Sequence, residues 1–167
     1  AVSSMSSSDR RRFLTLLALA PLGACGFAPV YAPGGAGQAL RGQVLVAAPD
    51  TRLGFLLVAR LEERLGLPEA EAYRLDYTIE TSETNLAITG TNDITRINIA
   101  GTVRFTLTET ATDAQLLADS VSTFTAYSTT STAVATAAAR RDAQDRLMIA
   151  LADQVMSRLL ASSLRWS

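Results

Sequence analysis

The amino-acid sequence predicts an α+β domain, a two-layer sandwich of order β-α-β-β-β-α with a mostly antiparallel four-stranded sheet and two helices on one of its faces. Three observations carry that reading. Apolar residues recur at helical spacing in two separate stretches, Leu53 to Leu65 and Leu147 to Leu160. Between them the apolar period falls to two, as in strands with one buried face. Glycine, proline and turn-forming polar residues stand where the period changes. Amphipathic helices must bury their stripe, and one face of a sheet of consecutive strands is the simplest cover.

Each element has its own warrant. Gln43 to Ala48 is a short apolar run closed by Pro49 and reads as a buried strand. Asp50 or Thr51 can cap the helix that follows, which sets Leu53, Leu56, Leu57, Leu61 and Leu65 against Arg60, Glu63 and Arg64 and stops at Gly66 and Pro68. From Arg74 the chain alternates, with Leu75, Tyr77, Ile79 and Thr81 inward and Arg74, Asp76, Thr78 and Glu80 outward. Leu86 and Ile88 are out of phase with that series. Either the strand bulges near Ser82 to Asn85, the simpler reading, or its tip exposes apolar side chains.

Gly90-Thr91-Asn92-Asp93 is a turn, after which Ile97, Ile99, Val103, Phe105 and Leu107 point inward and Asn98, Thr102, Arg104, Thr106 and Thr108 outward. Ala111 to Gln115 turns again, and Leu116 to Tyr127 forms a third meander strand whose threonines and serines suit a sheet with one wet face. Ala133 to Leu164 contains no glycine or proline and reads as one long helix, capped by Thr130, Ser131 or Thr132. Its stripe is Leu147, Leu151, Val155 and Leu159, flanked by Met148, Met156 and Leu160, while Asp142 and Arg146 form a favourable i,i+4 pair. The alanines before Arg140 predict close packing on the sheet.

The amino-terminal segment reads as an export signal, residues 1–24. Arg10, Arg11 and Arg12 precede an apolar run from Phe13 to Ala24 that falls well short of the ~20 residues of a membrane-spanning helix. Leu22-Gly23-Ala24-Cys25 resembles a bacterial lipobox, which implies cleavage before Cys25, a diacylglycerol on its thiol and acylation of its new amino group. The other reading of a lone cysteine is a small buried apolar residue. Two or three acyl chains anchor stably, since each buried CH₂ contributes ~0.8 kcal/mol. Arg10-Arg11-Arg12-Phe13-Leu14 is similar to a twin-arginine export signal but equally serves an ordinary n-region. Gly26 follows the cysteine where an aspartate would favour inner-membrane retention, so outer-membrane delivery is expected. Ala1 to Ser4 precede Met5, a plausible start. Residues 25–42, with Pro29, Pro33 and the glycines Gly34, Gly35, Gly37 and Gly42, read as a tether, and 43–167 as a single domain.

Composition removes several classes of function. The chain carries 15 basic and 16 acidic residues, and from Cys25 onward twelve face fifteen, a net charge of −3 that argues against nucleic-acid binding. Every basic residue is arginine, so any anion contact is a guanidinium fork. With no histidine, and the one thiol acylated, no Cys-His or Ser-His-Asp arrangement and no histidine metal site can form. Of the carboxylate pairs Glu62/Glu63, Glu69/Glu71 and Asp142/Asp145, the first and last lie on amphipathic helices and read as solvated faces. A non-enzymatic binding or assembly protein without catalytic or metal residues is expected, with no cofactor beyond the lipid on Cys25.

The opening Cys25-Gly26-Phe27-Ala28-Pro29-Val30-Tyr31 is similar to the CGF-x-P-(L/V)-Y start of the LptE family of lipopolysaccharide-assembly lipoproteins, alphaproteobacterial members above all. The run Asp145-Arg146-Leu147 through Leu151-Ala152-Asp153-Gln154-Val155 to Arg158-Leu159 also resembles that family's C-terminal helix. The resemblance implies a lipid-anchored partner of the outer-membrane β-barrel LptD, acting as plug and assembly factor, with lipopolysaccharide as a ligand. The strand reading nominates Arg74, Arg96 and Arg104 for lipid phosphates, and Leu86 and Ile88 for a barrel wall or acyl chains. An auxiliary lipoprotein of an ABC-type lipid transporter, or a structural envelope lipoprotein, would share the anchor and size.

Overall fold

The computed structural model describes residues 35–88, 94–129 and 132–163. Cys25, the signal segment and the Gly90–Asp93 turn lie outside the described residues. The chain forms α1 (Ala36–Leu40), β1 (Val44–Val46), α2 (Arg52–Leu65), β2 (Tyr73–Ile88), β3 (Ile94–Glu109), β4 (Gln115–Ser128) and α3 (Ala133–Ser163). One sheet of order β1-β2-β3-β4 carries the helices. It is mixed: β1 runs parallel to β2, and the two long pairings are antiparallel.

Local chemistry accounts for the boundaries. Thr51 caps α2, its hydroxyl accepting from the Gly54 N–H at 3.1 Å. Gly66 ends that helix at φ 75°, a conformation glycine adopts without a Cβ penalty, and its N–H donates to Glu62 O at 2.8 Å. Thr132 sits at the start of α3 and accepts from the Ala135 N–H at 3.3 Å. Asp142 and Arg146 form the expected i,i+4 pair at 3.0 Å.

The core lies between the helices and one face of the sheet. Leu57, Leu61 and Leu65 of α2 and Leu147, Leu151 and Leu159 of α3 are essentially inaccessible, and they meet Leu75, Val103 and Leu107 of the sheet. Each such side chain contributes roughly 1.5–3 kcal/mol relative to exposure. Close approach is achieved at Gly101 of β3: a Cβ there would stand 3.0 Å from both Leu147 Cδ2 and Leu151 Cδ1. The two helices are clamped by Asp153, which accepts from Arg60 Nε at 3.1 Å and from Arg64 at 2.9 Å. The Arg60 guanidinium is held well above its usual range, chiefly by its hydrogen bonds to Asp153 and Glu63.

Three expectations change. The expected tether does not run to Gly42, because Ala36–Leu40 is helical and Leu40 is 1% exposed within the core. Gly42, at φ 70°, then turns the chain so that its N–H meets Leu65 O and its carbonyl accepts from Glu69. Second, most of the alanines opening α3 do not pack closely: Ala139 lies against the core, but Ala133, Ala135, Ala137 and Ala138 are exposed and Val134 is 82% exposed. Beneath that end the sheet is polar, and the helix is held instead by Arg140 to Glu83 at 2.8 Å and by the Thr125 hydroxyl donating to Ala143 O at 3.0 Å. Third, the irregularity in β2 falls between Asn85 and Ile88, slightly later than Ser82 to Asn85, and it leaves Leu86 without a cross-strand partner.

Candidate functional site: the open face of the sheet

With period two, every second side chain of a strand faces away from the helices. Cross-strand register sorts those side chains into rows. Arg74 stands beside Thr108; then follow Asp76, Thr106 and Ala118; Thr78, Arg104 and Ser120; Glu80, Thr102 and Ser122; Ser82, Ala100 and Phe124; Thr84, Asn98 and Ala126; and finally Arg96 and Ser128. The face is thus dominated by hydroxyls and small side chains, and among the described residues no helix covers it. A shallow depression of about 580 Å³ lies toward its Arg74 end, lined by Asp76, Thr78, Arg104, Thr106, Ala118 and Ser120 among others.

All three nominated arginines occupy this face, but the structure does not bring them together. Arg104 and Arg96 are eight positions apart on one strand, about 26 Å at ~3.3 Å per residue. Arg74 is paired to Asp76 at 3.0 Å, and Arg104 is paired to Glu80. Among the described residues Arg96 makes no salt bridge, which leaves it the guanidinium of the three without a counterion. A single phosphate therefore cannot be gripped by the trio.

Of the two apolar tip candidates, Leu86 is 57% exposed, so the bulge and the exposed tip occur together. Ile88 pairs with Ile94 through its backbone, and its side chain lies outside the described residues. A residue that the sequence expectations do not include is Phe124, which is 68% exposed on the open face beside Ala100. Counting by twos from Val121 through Tyr127 sends it outward, and that is the signal the sequence offers. Two phenols on the other face are perturbed. Burial, with Asp50 nearby, pushes the Tyr77 hydroxyl up, and its oxygen is buried without a hydrogen-bond partner. Burial also raises Tyr127, with Glu83 adding to it.

The described residues contain no group of three metal-ligating side chains and no helix long and apolar enough to cross a membrane. No curated protein matches the sequence. Among solved structures, a lipoprotein of Caulobacter crescentus CB15 is 20% identical, with 79% of this chain and 98% of that chain covered and a TM-score of 0.64. The rare lipoprotein B of Shewanella oneidensis is 14% identical over 73% of this chain and 95% of its own, with a TM-score of 0.56. Lipoprotein B of Nitrosomonas europaea is 12% identical over 74% and 84%, with a TM-score of 0.57. At these identities the likeness is one of fold, a mixed sheet with helices on one side. The model of the LptE family, lipopolysaccharide-assembly, matches residues 40–159, from the buried Leu40 through nearly all of α3. The chain belongs to the LptE family of lipopolysaccharide-assembly lipoproteins.

Proposed function

We propose that this chain is an outer-membrane lipoprotein, anchored by acyl chains on Cys25, that partners the LptD β-barrel as plug and assembly factor and contacts lipopolysaccharide. The observation that carries the reading is the family match over residues 40–159. The open face supports it physically. A barrel lumen is polar, and a surface of hydroxyls and small residues can lie against it without burying unpaired charge. Arg74 and Arg104 carry their own counterions, so they present little net charge to such a wall. Arg96 is the residue for a lipid phosphate, which a guanidinium can bind with two parallel hydrogen bonds. Phe124 and Leu86 supply apolar contacts at the same end of the sheet. The role is one of binding and assembly rather than catalysis.

The test is a mild-detergent purification of a C-terminally tagged copy from its native outer membrane. A single large β-barrel recovered in about equal amount is the expected result. Recovery of an inner-membrane permease and its ATPase, without a barrel, would move the chain to the transporter-auxiliary class. Cys25→Ala should leave the protein folded and release it from the membrane; its recovery as an integral lipoprotein would remove the anchor from the proposal.

A further inference from the structure

The two edges of the sheet are treated differently. In β4 the outward backbone groups belong to the even residues, as two side-chain contacts show. The Ser120 N–H is taken by the Asp119 carboxylate at 2.8 Å, and the Ala126 carbonyl is approached by Arg146 of α3 at 3.5 Å. Asp119 is itself 3.7 Å from Arg158. Charged side chains on an edge are a recognised guard against unwanted strand pairing.

Along β2, among the described residues, no side chain takes up an outward backbone group. β1 covers this edge only from Tyr73 to Leu75, and the last bond of that pairing runs from the Ala47 N–H to Leu75 O at 2.9 Å. The same parity turns the N–H and C=O groups of Tyr77, Ile79, Thr81 and Glu83 outward, and no described backbone group meets them there. Where β1 leaves the sheet, a hollow of about 270 Å³ is lined by Asp50, Thr51, Tyr77, Thr78 and Ile79.

We propose that the bare edge of β2, Tyr77 to Glu83, takes up an extended strand of a partner polypeptide that continues the line of β1 and carries a basic residue beside Glu80. Main-chain pairing supplies the affinity in this mode, and alternate side chains supply the choice of partner. The choice here is set by charge. Glu80 remains 64% exposed despite its pairing with Arg104, and Asp50 at the mouth of the hollow is exposed and makes no salt bridge among the described residues. A second copy of the chain is the poorer occupant. An antiparallel two-fold pairing of the whole tract is centred on Glu80 and sets that carboxylate against its own symmetry mate, which is unfavourable. The inference concerns an edge rather than the open face, and it does not rest on which barrel or lipid that face meets.

The test is hydrogen–deuterium exchange on the full-length chain in detergent, with a synthetic peptide of about nine residues alternating threonine and valine around a central arginine. The expected result is exchange slowed about tenfold across Tyr77 to Glu83 on adding peptide, with the β4 amides from Ala118 to Phe124 unchanged. Thr81→Pro, which removes an outward N–H that the fold does not use, should abolish the protection. Glu80→Lys should weaken the arginine peptide and favour its glutamate counterpart, so the charge claim stands even if the proline variant fails to fold. Equal protection on both edges, or none, would overturn the proposal. Protection that rises with protein concentration in the absence of peptide would replace the partner strand with a second copy.

Discussion

The two faces of the sheet are made from the same strands, and they differ in nearly every physical respect. On β3, Val103 and Leu107 are fully buried beneath the helices, while their neighbours Arg104 and Thr106 look out from the other side. The covered face is where stability resides. The open face contributes little burial and carries an exposed phenylalanine, an arginine without a carboxylate partner among the described residues, and rows of hydroxyls. A face that adds little to stability and yet presents such groups is where an assembly protein can keep its contacts.

Substitutions separate the two faces, and the largest effect belongs to the core. Leu147→Ala, with no exposure at all, should cost about 2–5 kcal/mol in a denaturation experiment. Phe124→Ala, a larger truncation on the open face, should stay within about 0.5 kcal/mol of the parent. Similar losses from both would break the comparison. Next comes Gly101→Val, which forces methyl groups against Leu147 and Leu151 and should destabilise by about 1–3 kcal/mol. Removing the α2 cap with Thr51→Ala should cost about 1 kcal/mol.

The smallest effect is a dependence on alkaline pH. Tyr77 and Tyr127 both titrate above the ordinary value of 10.0 in the fold, mainly because burial disfavours the phenolate. Their contribution is therefore complete below about pH 10, and it is lost as pH rises from there through the folded values. A thermal midpoint followed upward from neutral pH should begin to fall in that window. Replacing both tyrosines with phenylalanine should flatten the fall.

Much of this comparison is legible in the sequence, because alternation along β2 and β3 assigns a face to each residue without any knowledge of the partner strand. The stripe of α3 is legible for the same reason, with a different period. What escapes has no period to reveal it. Leu40 is a single apolar residue in a run of glycine and alanine, so nothing marks it as core. The parallel β1–β2 pair is a different case, because a strand-helix-strand crossover requires it, and the rest of the sheet is antiparallel as expected. The alanines of α3 announce small side chains but not which surface lies below them, and that surface is polar at Glu83 and Thr125. Of the nominated site, the face of Arg74, Arg96 and Arg104 is readable from alternation. Their pairing state is not, since Glu80 reaches Arg104 across strands in a register that only the fold supplies.

The most direct measurement of the central claim is the ratio of barrel to lipoprotein recovered from native membranes with the double variant Arg96→Glu, Phe124→Glu, taken together with its thermal midpoint. The expected result is a midpoint like that of the parent and a barrel recovery that falls well below equal amounts. A full complement of barrel with the variant would contradict the assignment of the open face to partner contact.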